Sequence, residues 1–286
     1  MSRTALILGP TGRMGRHAAQ AFSAAGWQVR PFDRATGDLK AQAKGAEVIV
    51  NAWNPPYTDW AAQLPDLHAR VQQAALAADA TVILPGNVYV FGPDTPPPWS
   101  TDTPHRATNP LGRARIAMED SYRRSGTRTI LLRAGDFLDT EASGNWFDRI
   151  IAPKVHQGRL IYPGDPQVPH VWAFLPDLAR AMVRLADLAP TLPAFADIPF
   201  PGYTLSGTDL ATRLSAITGH TVRLRPFPWW QIQLARPVWP LAKHLIEMRY
   251  LWSTPHWLDP APFQALCPDH HDTPIDEALG QSIRPL

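Results

Sequence analysis

Gly9, Gly12 and Gly15 stand three residues apart, directly after the apolar run Thr4-Ala5-Leu6-Ile7-Leu8. Each glycine meets a separate need of a bound pyrophosphate. Gly9 makes the tight turn out of a strand, Gly12 lets the backbone approach phosphate, and Gly15 lets the next helix pack on the strand. A helix opening at this point adds free N–H groups and the positive end of its dipole. Thr11, Arg13 and Met14 would then surround the anion. Asp33 closes the next apolar run, where an acid accepts hydrogen bonds from adenosine ribose hydroxyls and favours NAD. Arg34 and Arg13 could instead grip a 2′-phosphate, which favours NADP. Asp33 would repel that phosphate. The reading is therefore NAD or NADP, with NAD ahead.

Other chemistry is weakly represented. The ten histidines have no metal-ligand spacing, and no metal is expected. His270-His271-Asp272 reads as a solvated turn. There is no Gly-x-Ser-x-Gly nucleophile elbow. The single cysteine, Cys267, excludes an intrachain disulfide and a cysteine-rich metal site.

The elements around the glycine loop alternate. Strands are read at 4–8, 28–32, 47–51, 80–84 and 128–132, with helical patterns at 13–25, 59–78 (interrupted by Pro65) and 111–125. Strands alternating with helices predict a parallel sheet covered on both faces. Only residues 34–46 separate the second strand from the next. That length cannot hold a helix, a strand and a second helix, since a helical crossover alone needs about a dozen residues. The fold class is α/β, a Rossmann-type doubly wound parallel sheet with its third strand trimmed away. Helices are further expected at 145–157, 176–189 and 208–218, and a strand at 221–225. Residues 226–262 carry seven prolines and five tryptophans and read as helices broken by loops. The expected organisation is a nucleotide-binding domain over 1–165, a return to it over 166–200, and a smaller Trp/Pro-rich substrate lobe over 201–286.

Composition narrows the function. Of 286 residues, 45% are hydrophobic and 18% charged, which is globular and sufficient for a large core. A net charge of +2 implies no nucleic-acid partner. No apolar run reaches membrane length and no signal peptide opens the chain, so no membrane partner and a cytoplasmic location are expected.

Several segments, in order over roughly residues 4–190, resemble the extended or atypical short-chain dehydrogenases/reductases of the nucleotide-sugar epimerase/dehydratase type. They are the glycine loop, Gly37-Asp38-Leu39, Asn51-Ala52, Val90-Phe91-Gly92, Leu132-Arg133-Ala134-Gly135 and Leu175-Pro176-Asp177-Leu178-Ala179. The resemblance implies that Asp38 and Leu39 lie near adenine and that Asn51, Ala52 and Trp53 lie beside the cofactor. It makes Asp177 a helix-capping residue. It also places the helices at 59–78 and 111–126 where that family forms homodimers.

The catalytic positions depart from the family. Asn87 stands where it has Ser or Thr, Leu111 where it has tyrosine, and Arg115 where it has lysine. Leucine transfers no proton, and arginine holds its proton to a pKa above ~12. Asn87 can still orient a substrate carbonyl. Arg115 would support the nicotinamide ribose, and Leu111 would make the nicotinamide edge of the cleft apolar. Tyr89 is the candidate proton donor, with Arg115 lowering its pKa; the alternative is a packed tyrosine. Asn54, Tyr57 and His170 are candidate substrate contacts. The expected partner is a small molecule. The expected activity is NAD(P)-dependent oxidoreductase or epimerase/dehydratase-like hydride transfer on a carbonyl or alcohol. A non-catalytic dinucleotide sensor is the alternative.

Overall fold

The computed structural model describes residues 3–286. Six strands form one parallel sheet: β1 (Thr4–Leu8), β2 (Gln28–Pro31), β3 (Val48–Asn51), β4 (Thr81–Gly86), β5 (Thr129–Arg133) and, much later in the chain, Phe195–Pro199. Between them run α1 (Arg13–Ala24), the short α2 (Leu39–Ala43), α3 (Trp60–Ala78) and α4 (Pro110–Ser125). Successive side chains of a strand point to opposite faces, and the two cores divide accordingly. Ala5, Ile7, Val48, Val50, Ile130 and Leu132 pack with α1 on one face. Leu6, Leu8, Ile49, Val82, Leu84 and Leu131 pack with α3 and α4 on the other.

The strand order places β2 at the edge, then β1, β3, β4 and β5. The expected third strand is absent from this sheet. Only α2 spans that interval, and β3 pairs directly with β1, Leu8 opposite Asn51. Connections leave β1 and β3 in opposite directions, which opens a crevice at their carboxyl ends.

Beyond β5 the chain builds a three-stranded sheet. Its strands are β6 (Asp136–Leu138), β8 (His170–Phe174) and β10 (Tyr203–Leu205), with β8 in the middle. A two-stranded pair joins β7 (Arg159–Tyr162) to β11 (Arg223–Pro226). Strand β9 is the Phe195–Pro199 segment that pairs with β5. Helices α5 (Leu175–Leu188), α6 (Gly207–Thr218), α7 (Trp229–Ala235), α8 (Pro240–Glu247), α9 (Ala261–Leu266) and α10 (Ile275–Ile283) complete the chain. Phe263 and Cys267 lie in the core beneath α1 and α5, so the segment after residue 260 packs back on the main sheet.

Three local expectations are corrected. Pro65 does not interrupt α3, which runs from Trp60 to Ala78. Its missing N–H would have reached Ala61 in the first turn, so little of the ladder is lost. The expected helix over 145–157 is instead a π turn at Phe147–Ile151 and a 3-10 turn at Val155–Gln157. Pro153, deep in that stretch, lacks the donor and crowds the preceding turn. Asp177 makes no cap on α5. It is buried and accepts hydrogen bonds from the Thr273 N–H (2.7 Å) and hydroxyl (2.8 Å), tying the C-terminal loop to α5.

A buried ionic network locks the sheet beside the site. The Arg133 guanidinium donates to Glu119 of α4 (2.8 Å) and Asp197 of β9 (2.6 Å), and to the Asn87 carbonyl (2.6 Å). The two carboxylates hold its pKa above the usual arginine value. His105 completes a cluster with Glu119 and Asp197, but the arginine already supplies the cation there. Breaking such a pair from one side typically costs about 3–5 kcal/mol.

Candidate functional site

The glycine loop has the geometry a diphosphate requires. Gly9 takes φ +72°, and a Cβ there would lie 3.2 Å from the Trp53 indole. A Cβ on Gly15 would fall 2.0 Å from the Gly9 carbonyl, so only glycine lets α1 approach β1 this closely. Gly12 is the N-cap of α1, and no side chain caps the helix. The first N–H groups of α1, from Arg13 and Met14 onward, therefore remain for an anion. Thr11 and Gly12 are exposed on the rim, while the Met14 side chain is buried. Arg13 is half-buried and donates to the Gly144 carbonyl at 3.2 Å.

Beside the loop lies a cavity of about 640 Å³ between the carboxyl ends of β2 and β3 and the start of α3. Phe32, Arg34, Gly37, Trp53, Asn54 and Arg70 line it, with Asp66 on its α3 wall. The Arg34 guanidinium lies 5.7 Å from the Trp53 ring centre. The buried Trp53 Nε1–H has no partner among the described residues. Asp33 is exposed; its carboxylate accepts the Ala35 N–H at 2.9 Å. Asp38 caps α2 through the Ala41 N–H (2.9 Å), and Leu39 is buried in the core. Asn51 is turned inward, towards His68 (3.3 Å) and the Tyr122 hydroxyl (3.4 Å), and Ala52 follows it beside Leu8. An uncapped helix N-terminus, a close-approach loop and an adenosine-sized cavity together fit a dinucleotide.

A second polar group gathers beyond β4 and β5. The Tyr57 and Tyr89 hydroxyls are 2.6 Å apart. The Asn87 Oδ1 accepts the Tyr89 N–H at 3.1 Å, leaving the amide NH₂ available. Asp136 opens β6, and its charge reaches both phenols and Tyr162. Its carboxylate, 19% exposed, is 2.8 Å from Nε2 of the buried His170. His170 lies flat on Trp252 (4.3 Å between centres) and edge-on to His256 (4.4 Å). His256 stacks in turn on Trp99 at 4.8 Å. Its Nδ1–H donates to the Thr254 carbonyl (2.7 Å), and burial depresses its pKa well below the ordinary histidine value.

Several sequence expectations change here. Burial pushes the Tyr89 phenol well above its ordinary pKa, and the neighbouring Tyr57 and Asp136 add to the rise. Arg115 opposes this as the smallest influence, so Tyr89 is not an activated phenol. Arg115 itself is buried, donates to the Pro85 carbonyl (2.8 Å) and sits 5.5 Å from the Trp60 ring centre. Leu111 does not line an open cleft; it is 2% exposed. Its N–H donates to the Glu247 Oε1 at 2.7 Å, drawing the end of α8 over the start of α4. His170 approaches the cleft only through Asp136. His270 is no solvated turn residue, since it packs edge-on to Phe200 (5.9 Å) and Phe263 (5.1 Å). Sequence reasoning missed Asp136 and Glu247. The first follows directly after the quoted Arg133-Ala134-Gly135, which was its available signal; nothing local marks Glu247.

This architecture is the extended short-chain dehydrogenase/reductase fold of the epimerase/dehydratase type. No protein-family model matches the sequence, and no curated protein matches it by sequence. Solved structures match over nearly the whole chain. MoeE5 in complex with UDP-glucose and NAD is 15% identical, with a TM-score of 0.75, covering 98% of this chain and 97% of that one. A human epimerase family protein, SDR39U1, with NADPH is 17% identical at a TM-score of 0.75, covering 99% and 100%. An epimerase described as putative from Burkholderia cenocepacia is 16% identical at 0.75, covering 99% and 97%. At such identities the likeness speaks for the fold.

Proposed function

We propose that this chain is an NAD(P)-dependent oxidoreductase or epimerase-like enzyme acting on a small alcohol or carbonyl substrate. The observation that carries the reading is the pairing of an intact diphosphate cradle with the polar group formed by Asn87, Tyr57, Tyr89 and Asp136. Backbone N–H groups of α1 and the cavity beside Trp53 would hold the dinucleotide, whose nicotinamide, when bound, supplies hydride exchange. Neighbours of the same fold were solved with NAD and with NADPH, which supports either cofactor. Two arginines, Arg34 and Arg70, line the cavity, whereas the Asp33 carboxylate is engaged with its own turn. That balance favours a 2′-phosphate and hence NADP.

Proton handling falls to Asp136 in this reading. Burial raises both phenols above their usual pKa, Tyr89 well above it, so at neutral pH Tyr57 and Tyr89 act as hydrogen-bond donors and not as bases. The free Asn87 amide donates to a substrate carbonyl. Asp136 accepts the alcohol proton as the carbonyl forms, and His170 fixes the carboxylate's orientation. Arg115 braces the Pro85 carbonyl instead of relaying protons.

A non-catalytic sensor is the second reading, favoured by the burial of Leu111 at the position where the family presents its tyrosine. Calorimetry with NAD(H) and NADP(H), followed by turnover assays on a panel of alcohols and carbonyls, separates the two. The enzyme reading requires turnover that Asp136→Asn lowers by about 10²-fold or more. Tight cofactor binding with no turnover on any of the panel supports the sensor; no binding at all refutes both.

A further inference from the structure

The outer surface of the α7–α8 hairpin is apolar. Val238, at the turn, is 85% exposed, Leu234 72% and Trp230 64%, and Trp239 stands beside them. Their helices give the core little: α7 buries only Trp229, and α8 only Ala242. The hairpin is nevertheless pinned. The Trp229 Nε1–H donates to the Pro163 carbonyl at 2.5 Å, and Glu247 holds the far end to α4. Contiguous exposed apolar surface on a fixed element marks an interaction site.

Charge selects the occupant. Residues 219–258 contain Arg223, Arg225, Arg236, Lys243 and Arg249 against one acid, Glu247. All five cations are exposed, and the Glu247 carboxylate is spent on the α4 terminus. A two-fold contact between copies would bring these cations against their own equivalents, with no acid from the segment to offset them. An anionic surface complements them. Tryptophans and aliphatic residues on a convex turn, flanked by arginine and lysine, are the composition of an interfacial membrane-binding element. No helix among the described residues is long and apolar enough to cross a membrane.

We propose that the α7–α8 hairpin docks this protein reversibly on an anionic lipid bilayer, with Trp230, Leu234, Val238 and Trp239 entering the headgroup layer. This departs from the expectation of no membrane partner, which rested on the lack of a spanning segment, an observation that leaves surface attachment open.

Vesicle co-sedimentation of the full chain tests this. The protein should pellet with phosphatidylglycerol/phosphatidylcholine vesicles, stay in solution with pure phosphatidylcholine, and be released by about 0.5 M salt as screening shortens. The double variant Leu234→Glu/Val238→Glu changes only exposed side chains. It should keep the wild-type melting profile and lose at least about 10-fold in partitioning. Failure to pellet with anionic vesicles overturns the proposal, as does equal partitioning of the variant. So does a wild-type dimer in sedimentation equilibrium that the double variant dissociates, which would assign the patch to a second copy.

Discussion

Glu247 reaches across 136 positions of sequence to close the candidate site, and its removal has a calculable consequence. Helix α4 opens with Asn109 as N-cap, but the Asn109 side chain makes no capping bond. Pro110 has no N–H, so the Leu111 N–H is the first donor needing a partner. Glu247 Oε1 takes that donor at 2.7 Å and the Asn109 Nδ2 at 3.1 Å, with a side chain only 11% exposed. The carboxylate also faces the positive end of a 16-residue helix. A charge in such a partly buried place contributes up to about 2 kcal/mol, and a charge-assisted hydrogen bond about 1.5–3 kcal/mol. Glu247→Gln keeps an acceptor and loses the charge, so it should destabilise by about 1–2 kcal/mol. Glu247→Ala also strands the Leu111 N–H and should cost about 3 kcal/mol, or roughly 5 °C in Tm for a chain of this size. Urea denaturation followed by circular dichroism reads both. Hydrogen exchange should show that α8 and the first turn of α4 lose protection together. Two variants within about 0.5 kcal/mol of wild type, the usual range for an incidental surface contact, would refute the capping role.

Gly12→Asp tests the diphosphate cradle in an unusual way, because Asp is a good N-cap. The variant should be as stable as wild type or slightly more so, yet show no dinucleotide binding by calorimetry; unchanged affinity would place the cofactor elsewhere. Arg34→Ala should weaken NADP(H) by about 10-fold or more while leaving NAD(H) within about 2-fold, as expected for one charge-assisted contact to a 2′-phosphate. Equal losses for both dinucleotides would remove Arg34 from that role. His68 is buried against Tyr122 (2.9 Å), and desolvation lowers its pKa to about 3. The unfolded chain then binds a proton near pH 6.5 that the native chain refuses, so stability falls as pH drops through the window from about 6.5 to 3. At pH 5 this amounts to about 2 kcal/mol for His68, and His68→Gln should remove that share of the acid sensitivity; an unaltered pH–stability slope would contradict it.

The nucleotide half of the fold was legible because its signals are local. Near-continuous apolar runs mark parallel strands buried on both faces, and Gly9, Gly12 and Gly15 mark the loop. The missing third strand followed from chain length alone. The site beyond β5 was less legible because its bonds join distant residues. Asp136 and His170 are 34 positions apart, Tyr57 and Tyr89 are 32 apart, and none carries a periodic signature. Strands β6 and β10, of three residues each, are too short for alternation to register. Pro65 and Pro153 illustrate a further limit. The same residue type is tolerated early in a helix, where little of the ladder depends on its N–H, yet it ends the regular turn at Pro153 even though Phe147, Ile151 and Val155 around it are buried in the core.

The apolar residue at position 111 and the closed α4 terminus belong to one physical argument. A catalytic tyrosine at position 111 would need its hydroxyl in the cleft and a nearby cation to lower its pKa. Here Leu111 is buried among Trp60, Val88, Val90 and Met248, an environment that favours a hydrocarbon and penalises a phenolate. Arg115 is buried with it, and among the influences on the Tyr89 phenol it is the smallest. In the proposed reading the acid–base role falls to Asp136, whose carboxylate is partly open to the cleft and backed by a histidine clamped between Trp252 and His256. The substitution Leu111→Tyr alone should then fail to raise turnover. The new hydroxyl would be buried without a partner, and no lysine stands at 115 to lower its pKa.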